Sequence, residues 1–408
     1  MTMTRMMVIL SVAVLGAGCS TQTPSPAPSP TPTPAALAEP TQQSAKTPRL
    51  ALSYDGGILV LDADTLETVA DLPVDGFVRL NSAANGRHVL VSQGSGFTVL
   101  DLGTWTDDHG GHGHHYTAEP AMTTTRFGGE EPGHVVAHDE LLTLFSDGTG
   151  AVDVLDPEAL LEGDGDVETA TTTTPHHGVA VARADGSIVV TVGDSESRSG
   201  IEIFDAAGQR VAANAECPGV HGEAAAADGV LTFGCEDGVL IVRGTEIRKV
   251  ASPDPYGRVG NQAGSEASPV VLGDYKTDPD AELERPQRFT LIDTATGTLR
   301  VVPLEASYSF RSLDRGPAGE AVILGTDGAL HVFDPVSARR TARIPAIGAW
   351  TEPDEWQSPM PNLHVQDGIA YISDPAARRL VAIDLATGTQ VGETTLPHPT
   401  IELTGVQG

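Results

Sequence analysis

A short apolar run that closes on a hydrophobic pair and an aspartate recurs along this chain, and it restricts the fold more than any other feature. It appears as Val60-Leu61-Asp62, Val99-Leu100-Asp101, Val154-Leu155-Asp156, Ile203-Phe204-Asp205, Leu291-Ile292-Asp293, Val332-Phe333-Asp334 and Ala382-Ile383-Asp384. Each aspartate opens a turn, and most of the runs are preceded by another strand signal reached through a glycine turn such as Asp55-Gly56-Gly57 or Asp327-Gly328. Continuous β-branched runs bounded by Gly, Asp and Asn read as strands, and long amphipathic helical patterns are absent from the sequence. The aspartates recur about every 40 to 55 residues, the length of a four-stranded propeller blade. The one wide gap, between Asp205 and Asp293, holds Gly238-Val239-Leu240-Ile241-Val242-Arg243-Gly244, the same strand and turn without the aspartate. The expected fold is therefore all-β, a β-propeller of eight four-stranded blades, or seven if two units merge. The C-terminal run Thr400-Ile401-Glu402-Leu403-Thr404-Gly405-Val406 has no blade of its own, so it is expected to close the ring as the innermost strand of the blade that starts at Leu50.

The residues ahead of the first unit fix the compartment. Arg5 precedes an apolar run from Met6 to Ala17, too short to span a bilayer, which reads residues 1–18 as an export signal. Leu15-Gly16-Ala17-Gly18-Cys19-Ser20 resembles a bacterial lipobox with its leucine one position early, which makes Cys19 a lipidation site and the only membrane attachment. Without acylation the protein would be periplasmic or secreted. Residues 19–47 are dominated by Pro, Thr, Ser and Ala and read as a semi-rigid stalk, leaving 48–408 as a single propeller domain. A formal net charge of -31, with Lys only at Lys46, Lys249 and Lys276, excludes nucleic acid as a partner and attracts cations. A monomer is expected.

With Cys19 assigned to lipid, Cys217 and Cys235 remain in an oxidising setting, where a disulfide is the favoured state; zinc thiolates are the alternative. Histidine is distributed unevenly, with nine of the 13 falling between His109 and His221. His109, His112, His114 and His115, spaced by glycine, read as a flexible capture loop for a metal. The others stand just ahead of or inside apolar runs. Alignment by the following hairpin puts Gly133-His134, Pro175-His176-His177 and Val220-His221-Gly222-Glu223 at the same phase of three consecutive units, where innermost strands begin. His134, His177 and His221 are thus expected at one channel mouth as a zinc site, with His176, His138 and Glu223 as further candidates and Asp139 nearby. Strand alternation sends His176 and His177 to opposite faces. His364 shares the phase but stands apart, and His88, His331 and His398 read as structural residues.

Pro175-His176-His177-Gly178-Val179-Ala180-Val181, Glu216-Cys217-Pro218-Gly219-Val220-His221-Gly222-Glu223-Ala224, Phe233-Gly234-Cys235-Glu236-Asp237-Gly238 and Gly257-Arg258-Val259-Gly260 together resemble the AztD-type zinc metallochaperones. The likeness runs from about residue 50 to the C-terminus and includes the histidine-rich loop. It implies an exported β-propeller, not an enzyme, that binds Zn(II) and hands it to the solute-binding protein of a zinc ABC transporter. The stalk with its lipobox departs from the family pattern, as does Ser309-Phe310-Arg311, where the pattern would have a histidine.

The residues and the resemblance together suggest that the histidine loop samples zinc, the channel site stores it, and a docked partner takes it by ligand exchange. Proton competition is expected to weaken binding as pH falls through about 6 to 7. Cu(II) and Ni(II) also suit imidazole sites. Two other uses of a propeller stand beside this one. A protein-binding scaffold needs no metal, and a metal-dependent hydrolase would show a catalytic acid or base that the sequence does not declare.

Overall fold

The computed structural model describes residues 40–162 and 167–408, so the expected signal peptide, Cys19 and residues to 39 lie outside the described part. Eight four-stranded antiparallel meanders follow one another in the chain. The first strand of blade 1 is the C-terminal Thr400–Val406, paired with Arg49–Tyr54. The first strands of blades 2 to 8 are Arg79–Ser82, Pro132–His138, Ala180–Ala182, His221–Ala226, Gln262–Ala263, Leu313–Arg315 and Asn362–Gln366. This is an eight-bladed β-propeller, closed by the C-terminal strand as expected. Among the described residues no helix is long and apolar enough to cross a membrane.

The recurrent aspartate has a local cause. Asp62 Oδ1 accepts the backbone N–H groups of Asp64 and Thr65 at 3.1 and 2.8 Å, closing the turn between the third and fourth strands of blade 1. Asp205, Asp293, Asp334 and Asp384 accept turn N–H groups in the same way. The carboxylate does locally what a backbone acceptor would otherwise have to do. Blade 5 dispenses with it because Arg243 pairs directly with Glu246 across a two-residue turn, in which Gly244 takes the positive φ of 58°.

Between blades the core is mostly aliphatic, with buried Phe and Tyr among it. Leu50, Leu52, Leu59 and Leu61 of blade 1 pack on Tyr371, Leu380 and Ala382 of blade 8, so ring closure is made by side chains as well as by the shared strand. Each such leucine contributes about 1.5–3 kcal/mol on burial. Cys217 and Cys235 form a disulfide within the apolar cluster between blades 4 and 5. Thiolate zinc ligation is thereby set aside.

Two segments differ from expectation. His109 to His115 is an ordered β-hairpin, with Thr104–His109 paired to His112–Thr117, inserted between the third and fourth strands of blade 2. Gly110 and Gly111, at φ 53° and 103°, make the two-residue turn that glycine alone accepts easily. Thr41–Gln43, inside the stretch expected as stalk, adds a third strand against His112–Thr117.

Candidate metal centre

Three imidazoles converge where the innermost strands of blades 3 to 5 begin. His134 lies near the start of Pro132–His138, His177 stands ahead of Ala180–Ala182, and His221 opens His221–Ala226. One ring nitrogen from each lies within 4.8 Å of the others. The ring centroids are 5.1 to 5.5 Å apart, and the Nε2 atoms of His177 and His221 are separated by 3.1 Å. Tetrahedral zinc with Zn–N bonds near 2.0–2.1 Å holds its nitrogens roughly 3.3 Å apart, so small side-chain shifts close the set.

The tautomers follow from the partners. His134 Nδ1 is 2.8 Å from Gly178 O and His221 Nδ1 is 2.6 Å from Gly260 O. A carbonyl can only accept, so each Nδ1 carries the hydrogen and donates it. His177 Nδ1 lies 2.5 Å from Asp147 Oδ2 and donates likewise. All three Nε2 atoms are left with free lone pairs, and each ring is held by the bond at its other nitrogen. Asp147 Oδ1 also accepts Gly178 N–H at 3.3 Å, tying the turn of blade 3 to the segment that carries His177.

Burial and the neighbouring imidazole His177 push the His134 pKa down to about 4. Burial first, then His134, holds His221 well below its ordinary value. Both shifts favour the neutral ring, the form that binds metal.

The further candidates do not join the group. His176 is buried against Phe145, donates from Nδ1 to Thr174 O at 2.8 Å, and meets Thr191 Oγ1 with Nε2 at 2.9 Å. His176 is buried and His177 exposed, so the two side chains part as expected, but both stand in the bend ahead of Ala180–Ala182 and strand alternation is not the cause. His138 lies at the far end of its strand, 3.5 Å from Asp139 Oδ1, so neither residue reaches the mouth. Glu223 sits two positions past His221, across a register shift, and burial raises its carboxyl to about 7. The group lacks a carboxylate ligand, and the carboxylate at hand, Asp147, is directed at the back of His177. Sequence reading missed Asp147; its signal was the Asp147-Gly148 turn, which blade phase places beside the next blade's first strand.

The hairpin has a geometry of its own. Asp107 pairs with His114 and His109 with His112, so these four side chains share one face. The rings of His109 and His112 lie 5.7 and 4.9 Å from that of His114. His115 turns to the other face and meets Thr106 Oγ1 at 2.9 Å. The hairpin follows the third strand of blade 2, on the propeller face where innermost strands end, whereas the trio lies where they begin. The loop expected to sample zinc and the site expected to store it therefore stand on opposite faces of the propeller.

Fold and site define a class: an eight-bladed propeller that presents three oriented imidazoles at one channel mouth. Along 362 residues the chain is 25% identical to a protein described as zinc chaperone AztD from Citrobacter koseri, covering 86% of this chain and 83% of that protein. The crystal structure of Citrobacter koseri AztD superposes with a TM-score of 0.78 at 23% identity, over 89% of this chain and 99% of that one. The apo AztD structure from the same organism gives 0.77 at 22% identity, over 89% and 98%. A more distant likeness, TM-score 0.56 at 14% identity over 89% and 75%, is to the dihydro-heme d1 dehydrogenase NirN. No family profile matches the chain. The resemblance to AztD read from the histidine and cysteine segments thus extends over most of the chain.

Proposed function

We propose that this protein is an exported zinc metallochaperone, which holds Zn(II) at His134, His177 and His221 and delivers it to the solute-binding protein of a zinc ABC transporter. The observation that carries the reading is the commitment of all three Nδ1 hydrogens to acceptors, which turns three lone pairs toward one point. Three nitrogen ligands leave one tetrahedral position for water or an incoming ligand, the arrangement of a site that exchanges its ion and not of a closed structural site. The similarity to zinc chaperone AztD supports zinc as the ion and transfer as the task. His109, His112 and His114, with Asp107, act as a separate, weaker zinc-binding face, and Cys19 anchors the protein to the membrane by lipid.

Calorimetry on metal-free protein tests the reading. One tight zinc site is expected, lost in His177→Ala/His221→Ala while the fold persists. Absence of zinc-dependent heat at micromolar protein, or an unchanged tight site in the double variant, would refute it.

A further inference from the structure

The propeller mouth that carries the imidazoles carries a second group of residues on its opposite arc. Phe77 precedes the first strand of blade 2, Phe310 that of blade 7 and Trp356 that of blade 8, the same phase that gathers His134, His177 and His221 in blades 3 to 5. The Trp356 ring meets Phe77 edge-on at 5.1 Å and Phe310 at 6.4 Å, and the Arg79 guanidinium lies 5.8 Å from its centroid. Its backbone is fixed by Arg311, which donates to Trp356 O at 2.8 Å while holding Glu402 with Nε and Nη2 at 3.0 and 2.5 Å.

The side chain, by contrast, remains open. Trp356 is 44% exposed in a chain with three tryptophans, and its indole N–H has no hydrogen-bond partner among the described residues, whereas Trp350 donates to Gly325 O. Anchored backbone, exposed aromatic surface and a free donor are the attributes of an interface hot spot. Exposed charge of both signs surrounds it, with Asp354 and Glu355 next to it in sequence and Asp75 two residues before Phe77. Arg79 bonds to Glu402 at 3.3 Å yet keeps 44% of its side chain exposed, and Arg198 Nη1 reaches the His177 carbonyl at 3.4 Å.

We propose that Trp356, supported by Phe77 and Phe310 and flanked by Arg79, is the docking platform for the zinc-receiving protein, whose matching surface is apolar and offers an acceptor to the free indole N–H. The inference rests on the chaperone reading above, and it places the partner's ligands over the open side of the three imidazoles. A platform on this face and not the other is required because a receiving protein must reach the ion directly.

The test follows zinc release from the loaded, full-length protein to two acceptors, the small chelator 4-(2-pyridylazo)resorcinol and the apo solute-binding protein of the zinc transporter. Trp356→Ala and Arg79→Gln are each expected to leave zinc affinity and transfer to the small chelator within about twofold of the parent. Transfer to the solute-binding protein is expected to slow by roughly tenfold or more for Trp356→Ala. Parental transfer to the solute-binding protein by both variants overturns the platform and leaves the chaperone reading standing. Equal slowing toward both acceptors also overturns it, because the residues would then act on the metal site itself. A parent that loads zinc and serves only the small chelator sinks the proposed partner and the platform together.

Discussion

Replacing Asp147 by Asn removes a charge and leaves a hydrogen-bond acceptor in place, which isolates the electrostatic part of its support for His177. Asp147 Oδ2 accepts the His177 Nδ1 hydrogen at 2.5 Å. Across the ring and one zinc–nitrogen bond, a bound ion would sit about 6.5 Å from that oxygen. The imidazole side chain is 47% exposed and the carboxylate 16%, so an effective dielectric near that of water applies. At an effective dielectric of about 60, a divalent ion and a unit charge at that distance interact by roughly 1.7 kcal/mol. The expected result for Asp147→Asn is therefore a zinc Kd raised about 10- to 20-fold. Asp147→Ala also frees the tautomer and orientation of the ring, and approaches the 100-fold upper end of the range for residues that orient a metal-binding histidine. Competition against a chelator of known affinity at pH 7 measures both. A Kd for Asp147→Asn within twofold of the parent, with the fold intact, would show that the carboxylate does not act on the ion through His177.

Three further predictions address stability. Burial holds the His88 pKa down at about 4. At pH 7 the ring is neutral in both folded and unfolded chains; as pH falls from 6.5 toward 4 only the unfolded chain takes the proton, and stability is lost. Glu223 and Glu352, both raised to about 7 by burial, work the other way over this range, so the informative quantity is a difference. Urea unfolding of metal-free parent and His88→Gln is expected to show the parent losing up to about 3 kcal/mol relative to the variant between pH 7 and 4.5; parallel curves would contradict this. Replacing Cys217 and Cys235 by Ala opens a cross-link of sequence separation 18, a loss of about 3 kcal/mol, which denaturant titration will register. Deleting residues 400–408 strips the strand paired to Arg49–Tyr54, and a circular dichroism melt should lose its cooperative transition.

Blade count was legible because each turn aspartate satisfies its own hydrogen bonds and so needs no tertiary context to be required there. Blade 5 showed the limit of that signal, since Gly244 provides a tighter turn and removes the need for the carboxylate. The positions of His134, His177 and His221 were legible through phase, because residues at equal phase in adjacent blades meet around the axis. Their orientation was not, as it depends on the carbonyls of Gly178 and Gly260, which no side-chain pattern encodes. Nor was the hairpin. Glycine-spaced histidines suggested a mobile loop, but Gly110-Gly111 fills a two-residue turn and the third strand comes from Thr41–Gln43, more than sixty positions away in sequence.

That hairpin also decides how the two groups of histidine relate. It leaves blade 2 after the strand Gly96–Asp101, whose end neighbours the start of the strand that begins at His88, and Thr106 Oγ1 reaches Gly408 O beyond the end of the closing strand at 2.9 Å. The trio lies instead beside the opposite turn, that of Asp147. An ion leaving His109, His112 or His114 must therefore cross the thickness of the propeller or return to solvent before it meets His177, and solvent is available to any zinc ion without the hairpin. It follows that His109→Ala/His112→Ala/His114→Ala will leave the stopped-flow loading rate of the tight site within about twofold of the parent at submicromolar zinc, while removing weaker binding from the titration. Loading slowed tenfold or more, with the tight-site affinity unchanged, would mean that the hairpin delivers zinc to the trio and that the route between the faces is open.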